Sequence, residues 1–202
     1  LSIGQLWLAF TGRGELLSAA ERAVALDLRL PRMVAAAGVG AVLAICGTAM
    51  QGLFRNPLAD PGLVGVSSGA SLGSVLYLKL GAGTLAGLSS ALGDFALPVC
   101  AFAGGLIMTS IMYRASNIEG RTVVALMLLA GIALNALAGA AIGVALFFSD
   151  DNQLRQFTFW TLGNVGHASW PKLAAAAPFL LAALILVPRY ARALNALLLG
   201  EA

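Results

Sequence analysis

Charged residues are scarce in this sequence. Only 10% of its 202 residues are Asp, Glu, Lys or Arg, whereas 59% are hydrophobic. A soluble domain carries about a quarter charged residues, so a globule of this size would have too little charge to cover its surface. The mean hydropathy of +0.89 agrees with this. We therefore expect a membrane protein, and we exclude a soluble enzyme and a disordered chain.

Basic clusters, cysteine and histidine are scarce as well. A net charge of +3 spread over the chain makes no basic patch for nucleic acid, and two cysteines make no disulfide framework. One histidine and two cysteines in apolar runs cannot form a closed transition-metal site, which takes about four ligands. The chain also has no Gly-x-x-x-x-Gly-Lys phosphate loop. We expect no metal site, no cofactor and no enzymatic activity in this chain.

Long runs without charge predict five membrane spans. A helix needs about 20 apolar residues to cross about 30 Å of hydrocarbon. The five runs cover residues 33–54, 61–78, 95–113, 122–149 and 173–188. Upstream, Ser18 and Glu21 have the spacing of a capping box, which predicts a short helix over 18–28 lying at the membrane interface.

The loop between the first two spans is predicted to be short and stiff. Each proline disfavours helix at the residue before it, so Asn56-Pro57-Leu58-Ala59 can only be a tight turn. Asp60 followed by Pro61 has the chemistry of a helix N-cap and first position. We expect the Asn56 side chain to fix the turn, as asparagine commonly does.

Small residues recur every four positions in two of the predicted spans. Gly65, Gly69 and Gly73 form one set, and the second set comprises Gly131, Asn135, Gly139 and Gly143. This spacing puts each set on one helix face, where small residues allow helices in lipid to approach closely. Two interpretations of Asn135 are open: tight packing, or a side chain facing a passage.

The distribution of arginine and lysine does not decide the orientation by itself. If the loops alternate, Arg55 and four further arginines share one face, and the opposite face carries seven basic residues, which include Arg29 and Arg32. These two arginines are either lipid anchors or docking points for an acidic partner. The single histidine, His167, follows an aromatic segment that suits the headgroup region, and is either merely solvated or in contact with substrate.

Several motifs are specific enough to name a family. They are Leu28-Arg-Leu-Pro-Arg32, Gly47-Thr-Ala-Met-Gln-Gly52, Phe54-Arg-Asn-Pro-Leu-Ala-Asp-Pro-Gly62, Leu129-Ala-Gly-Ile-Ala-Leu134 and Phe159-Trp-Thr-Leu-Gly163. With them, the chain resembles the permease family of bacterial ABC importers for iron siderophores, haem and vitamin B12 over essentially its whole length.

The resemblance implies an all-α, polytopic transmembrane helix bundle in the bacterial inner membrane. Family permeases have ten helices per subunit, of which this chain would hold helices two to six, so we expect it to be part of a longer protein. They pair as homodimers around a passage, dock two ATPase subunits that use ATP and Mg²⁺, and receive substrate from a periplasmic binding protein.

The resemblance also implies roles for particular residues. Arg29 and Arg32 match arginines that dock the binding protein, Asn56 and Leu58 match a cytoplasmic gate, and a second gate falls near Ala115 and Ser116. Segment 192–202, with Gly200 and Glu201, resembles the start of the loop that couples to the ATPase. We also assign Met127, Leu134 and Asn135 to the translocation pathway.

The predicted function is therefore ATP-driven import of an iron chelate. Haem is favoured over ferric siderophore or cobalamin, because a passage lined by Met, Leu, Ala and Gly suits a large molecule with an apolar body. The alternative of a different class is an ion-coupled secondary transporter. Such a carrier normally needs ionisable groups within its spans, and these five runs have none. A purely structural subunit would leave the stiff turn and the arginine pair without a use.

Overall fold

The computed structural model describes residues 18–81 and 83–198. These residues are almost entirely helical, as the predicted all-α class requires, and the described part contains one two-stranded hairpin. They form two compact units. One unit is Phe54–Gly163, and the other comprises the described residues on either side of it. The predicted coupling residues Gly200 and Glu201 lie outside the described residues.

Helix α1 runs from Ala19 to Phe54. Its start has the predicted capping box, in which Ser18 Oγ accepts from Glu21 N at 3.3 Å and Glu21 Oε2 accepts from Ser18 N at 2.9 Å. The predicted interfacial helix over 18–28 is not separate, however. A π-helical turn, Val24–Arg29, joins it directly to Leu30–Phe54, because the wider turn accommodates Pro31 without ending the helix.

The segment predicted as one span over 61–78 is broken in two. A 3-10 helix, Pro61–Val64, is followed by helix α2, Val66–Leu80. Gly65 between them has φ of 80°, a left-handed conformation that no α-helix can include. With 15 residues, α2 is only about 22 Å long at 1.5 Å per residue.

The rest of the Phe54–Gly163 unit comprises four helices and a hairpin. In chain order they are α3 (Ala86–Leu92), a 3-10 turn (Gly93–Phe95), α4 (Ala96–Ala115), β1 (Asn117–Ile118), β2 (Arg121–Thr122), α5 (Val124–Phe147) and α6 (Asp151–Leu162). The antiparallel hairpin pairs Asn117 with Thr122 and Ile118 with Arg121. Helices α4 and α5 occupy the runs predicted as spans over 95–113 and 122–149.

The C-terminal part contains helix α7 (Trp170–Arg189) and helix α8 (Ala191–Leu198), preceded by a 3-10 turn, Val165–His167. Helix α7 covers the run predicted over 173–188. Among the described residues, four helical stretches are long and apolar enough to cross a membrane: Ala19–Phe54, Ala86–Ala115, Val124–Phe147 and Trp170–Arg189. The structure has four such stretches and not the five predicted spans, because the run over 61–78 is broken at Gly65.

Glycines bring α2 and α4 into close contact. A Cβ added at Gly69 would lie 2.5 Å from the carbonyl oxygen of Gly104, and one added at Gly73 would overlap the carbonyl of Cys100. The predicted small-residue face of α2 is therefore packed, as membrane helices without a hydrophobic driving force require. On α5 the prediction holds for Gly131, whose added Cβ would overlap the carbonyl of Leu63.

For the second half of the α5 face, close packing stays a prediction. Gly139 and Gly143 are exposed, and no other described element lies within 4 Å of a Cβ added at either residue. Ala138, directly before Gly139, is buried, so the second half of α5 is covered on one side, and the face of Gly139 and Gly143 is open within the described residues.

Candidate functional site

The turn between α1 and the broken segment has the local geometry that its sequence predicts. Helix α1 ends because Arg55 adopts a positive φ of 50°, which is unusual for a residue with a side chain. The backbone N–H of Leu58 donates to Asn56 Oδ1 at 2.9 Å, and Ala59 N donates to Asn56 O at 3.0 Å. The prediction that the Asn56 side chain fixes this turn is confirmed.

The far side of the turn is also anchored. Asp60 Oδ1 accepts from Gly62 N at 2.6 Å, and Pro61 occupies the first turn of the 3-10 helix that follows. Ala59 is buried, whereas Leu58 is 85% exposed, more than any other large hydrophobic residue in the described part. A stiff backbone thus presents one bulky apolar side chain away from the rest of the unit. We call residues 55–60 the gate turn, after the role that the resemblance predicts for Asn56 and Leu58.

Asn135 on α5 holds the break that follows the gate turn. Its Nδ2 donates to the carbonyl of Gly62 at 3.2 Å, and its Oδ1 accepts from Ser68 Oγ at 2.5 Å. One amide therefore bridges the 3-10 helix and the first turn of α2 across Gly65. Irregular backbone needs such partners at membrane depth, where an unpaired carbonyl costs several kcal/mol. We call Asn135, Ser68 and the Gly62 carbonyl the break clamp.

The second predicted gate lies where α4 ends. Ser116 is fully buried, and its Oγ donates to Met112 O at 2.5 Å, while Ala115 is exposed. Ser116 O accepts from Val123 N at 3.0 Å, which closes the hairpin onto the end of α4. Among the residues that the structure describes, no hydrogen bond joins this turn to the gate turn.

The remaining predicted site residues lie in three different environments. Met127 is buried at the start of α5, and Leu134 is half-buried beside Asn135.

Arg29 is half-buried at the end of the π turn, and Arg32 is exposed one residue after Pro31. His167 is exposed, with Nδ1 3.4 Å from the Asn164 amide nitrogen. Within the described ranges, no three His, Cys, Asp or Glu side chains cluster to hold a metal ion.

Sequence reasoning missed three features of this region. Ser68 and Gly62 gave no signal as partners of Asn135, because they are 67 and 73 residues away from it. The hairpin did have a sequence signal. Glu119 and Gly120 form a two-residue turn in which both φ angles are positive, a conformation that favours glycine. The break at Gly65 was hidden within an apolar run.

Four long apolar helices define a polytopic α-helical membrane protein, and a short helix broken at Gly65 is a feature that transporters of this kind contain. The model of the FecCD transport family matches residues 1–202. This chain therefore belongs to the FecCD transport family and is a multi-pass protein of the bacterial inner membrane.

Two curated relatives illustrate the range of the family. The chain is 47% identical over 178 residues to the hemin transport system permease protein HmuU of Yersinia pestis, which covers 87% of this chain and 51% of HmuU. It is 40% identical over 203 residues to the vitamin B12 import system permease protein BtuC of Salmonella paratyphi A, which covers 100% of this chain and 58% of BtuC. The chain thus spans about half the length of these relatives.

A solved structure has the same fold. It is described as an inward-facing conformation of a metal-chelate type ABC transporter, and it matches with a TM-score of 0.77 and 29% identity. The match covers 92% of this chain and 56% of the other.

Proposed function

We propose that this chain forms the membrane-spanning permease part of an ATP-driven importer that carries a metal chelate from a periplasmic binding protein into the cytoplasm. The observation that carries this proposal is the match of the whole chain to the FecCD family. The partners are a second copy of the permease, two ATPase subunits and the binding protein. ATP and Mg²⁺ are used by the ATPase subunits, and this chain contributes neither catalysis nor a cofactor.

In this proposal the gate turn closes the passage on its cytoplasmic side. Leu58 extends from a backbone that is fixed on one side by the Asn56 side chain and on the other by Asp60. A turn with so little freedom of its own moves as one piece when its flanking helices tilt. Two copies of the permease place two Leu58 side chains at the passage, and Ala115 and Ser116 form the second constriction.

The pathway residues act in two ways. Leu134, half-buried on α5, contributes apolar lining, and Met127 supports it from within the unit. Both polar atoms of the Asn135 amide form hydrogen bonds within the break clamp. We therefore propose that Asn135 affects transport by holding the helix break and not by binding cargo.

Haem is the proposed cargo, with ferric siderophore and cobalamin as the alternatives within the family. The hemin permease of Yersinia pestis is 47% identical to this chain, against 40% for the vitamin B12 permease. An apolar lining with few hydrogen-bonding groups also suits a large, flat molecule that must not bind tightly in transit.

Arg29 and Arg32 form the proposed docking point for the binding protein, and Gly200 and Glu201 the proposed contact with the ATPase. Arginine pairs well with carboxylates because its planar guanidinium can donate two parallel hydrogen bonds. Charge pairs at such a surface mainly accelerate association, and the effect falls as salt rises.

The test is uptake into proteoliposomes that contain the complete permease and its ATPase, with the binding protein outside. We expect ATP-dependent accumulation of haem and little accumulation of ferric siderophore or cobalamin. Preferential uptake of one of the other two would replace haem as the cargo. Uptake that proceeds without ATP and follows an ion gradient would contradict the importer class.

A further inference from the structure

The π turn in α1 leaves one backbone carbonyl without a helical donor. Within the turn, hydrogen bonds join residues five apart, and Leu30 N–H donates to Ala25 O. In that register the donor for Leu26 O would be the amide of residue 31. Residue 31 is proline, which has no N–H. The helix itself therefore cannot satisfy Leu26 O.

Trp170 supplies the missing donor. Its indole Nε1 donates to Leu26 O at 3.1 Å, across 144 residues of sequence. Trp170 is the first residue of α7, after an extended Ser169, so its ring is fixed by the start of a long helix. The neighbouring residues Ala25 and Pro31 are almost completely inaccessible. Because the helix offers Leu26 O no donor of its own, this single bond is important for the π turn.

The two proposed docking arginines stand at the edges of this feature. Arg29 ends the π turn, and Arg32 follows Pro31 directly. If the π turn converted to α-helix, one residue would be absorbed and the chain on its N-terminal side would rotate by about 100° relative to Arg29 and Arg32. The direction of the arginine pair relative to the preceding helical segment, Ala19–Ala23, therefore depends on the π turn.

We propose that Trp170 is a positioning residue for the arginine pair: its indole N–H holds the π turn open by replacing the hydrogen bond that Pro31 cannot make. This inference rests on the proposed docking function of Arg29 and Arg32. Trp170 itself has no need to touch the binding protein.

The experiment uses the complete permease in nanodiscs and three variants: Trp170→Phe, Pro31→Ala and the double variant. Trp160→Phe is the matched control, because Trp160 donates no indole hydrogen bond in the described structure. Hydrogen exchange of the amides in residues 24–36 reports the π turn, and the association rate of the periplasmic binding protein reports docking.

In Trp170→Phe we expect exchange of these amides to rise about tenfold, as the loss of the one side-chain hydrogen bond to Leu26 O implies. We expect association to slow several-fold. In the Pro31→Ala background, the new amide or a relaxed α-helical register satisfies Leu26 O. The further change Trp170→Phe should then alter neither exchange nor association, and Trp160→Phe should match the wild type.

Unchanged exchange in Trp170→Phe, or an equally large rise in the Pro31→Ala background, would overturn the assignment of the indole as the missing donor. Raised exchange with unaltered association would overturn the positioning role. The docking proposal is tested separately with the variant Arg29→Glu/Arg32→Glu. If this variant associates with the binding protein at the wild-type rate and with the wild-type salt dependence, the docking proposal fails. The exchange data still decide whether Trp170 supplies the missing donor.

Discussion

Leu58 is the single side chain on which the proposed gate depends. It is 85% exposed on a turn whose backbone is held by Asn56 and Asp60. Shortening it to alanine removes bulk at the tip without disturbing either anchor. We expect Leu58→Ala to fold normally and to raise ATP-independent leak of cargo several-fold in sealed proteoliposomes.

The control for this prediction is Leu162→Ala, which shortens another strongly exposed leucine, at the end of α6. It should leave leak unchanged. Wild-type leak and wild-type coupled uptake in Leu58→Ala would mean that the gate turn is only a connector.

Asn135 is predicted to matter for stability through the break clamp. Asn135→Leu keeps the size of the side chain but removes the interhelical bonds to Gly62 O and Ser68 Oγ, so that Gly62 O keeps only its local bond from Gly65 N. We expect the free energy of unfolding to fall by about 1 to 2 kcal/mol, the range for a hydrogen bond between membrane helices. Unfolding in mixed micelles with increasing SDS measures this difference.

Asn152→Leu provides the comparison, because Asn152 is exposed at the start of α6. Exposed substitutions of this kind change stability by about 0.5 kcal/mol or less. Equal losses in the two variants would show that the clamp contributes no stability of its own.

At the scale of elements, the contact between α2 and α4 can be tested by adding a single methyl group. A Cβ at Gly104 would overlap the carbonyl of Gly69 and lie 3.1 Å from Gly73 Cα. Backbone cannot move aside as a flexible side chain can, so Gly104→Ala should separate the helices and cost about 1 to 3 kcal/mol.

Gly139→Ala is the matched substitution on α5. No other described element lies within 4 Å of the added Cβ, and alanine favours helix by up to about 1 kcal/mol relative to glycine. We therefore expect a neutral or slightly stabilising effect in the same SDS unfolding experiment. A neutral Gly104→Ala would contradict the close contact, whereas a destabilising Gly139→Ala would show that this face of α5 is covered in the intact transporter.

How far the sequence predicts these elements depends on the range of the interactions. The gate turn is determined by neighbours, Asn56 to Leu58 and Asp60 to Gly62, so it could be predicted. The break at Gly65 could not, because a glycine in an apolar run also fits a continuous helix. The hydrogen bond at the π turn joins an acceptor and a donor 144 residues apart, Leu26 and Trp170, and no local pattern records that pairing.

At the scale of the molecule, the two ends of the Phe54–Gly163 unit are predicted to face opposite sides of the membrane. At one end, the gate turn leads into the break, and the hairpin closes α4 onto α5. At the other, Gln153 Nε2 donates to Leu78 O at 3.1 Å, and Lys79 Nζ donates to Phe148 O. These bonds join the end of α2 to the α5–α6 connection.

Cysteine labelling tests this arrangement in a variant whose two native cysteines, Cys46 and Cys100, are replaced by alanine. Because the gate turn is proposed to be cytoplasmic, Leu58→Cys and Ile118→Cys should react with a membrane-impermeant maleimide in inverted vesicles only. Asn152→Cys should react in intact spheroplasts. Labelling of all three from one side would contradict the predicted topology.

The break clamp has a consequence for how the protein is made. The Gly62 carbonyl leaves the ribosome 73 residues before its partner Asn135, which corresponds to a delay of roughly 4 to 15 s at ordinary rates of synthesis. During that interval the Gly62 carbonyl has only its local bond from Gly65 N, at 3.2 Å, and the bridge from Gly62 to Ser68 across Gly65 is missing. The angle between the 3-10 helix and α2 is therefore not fixed until α5 emerges, so we expect residues 61–80 to take their final place in the bilayer together with α5 and not when they are first translated.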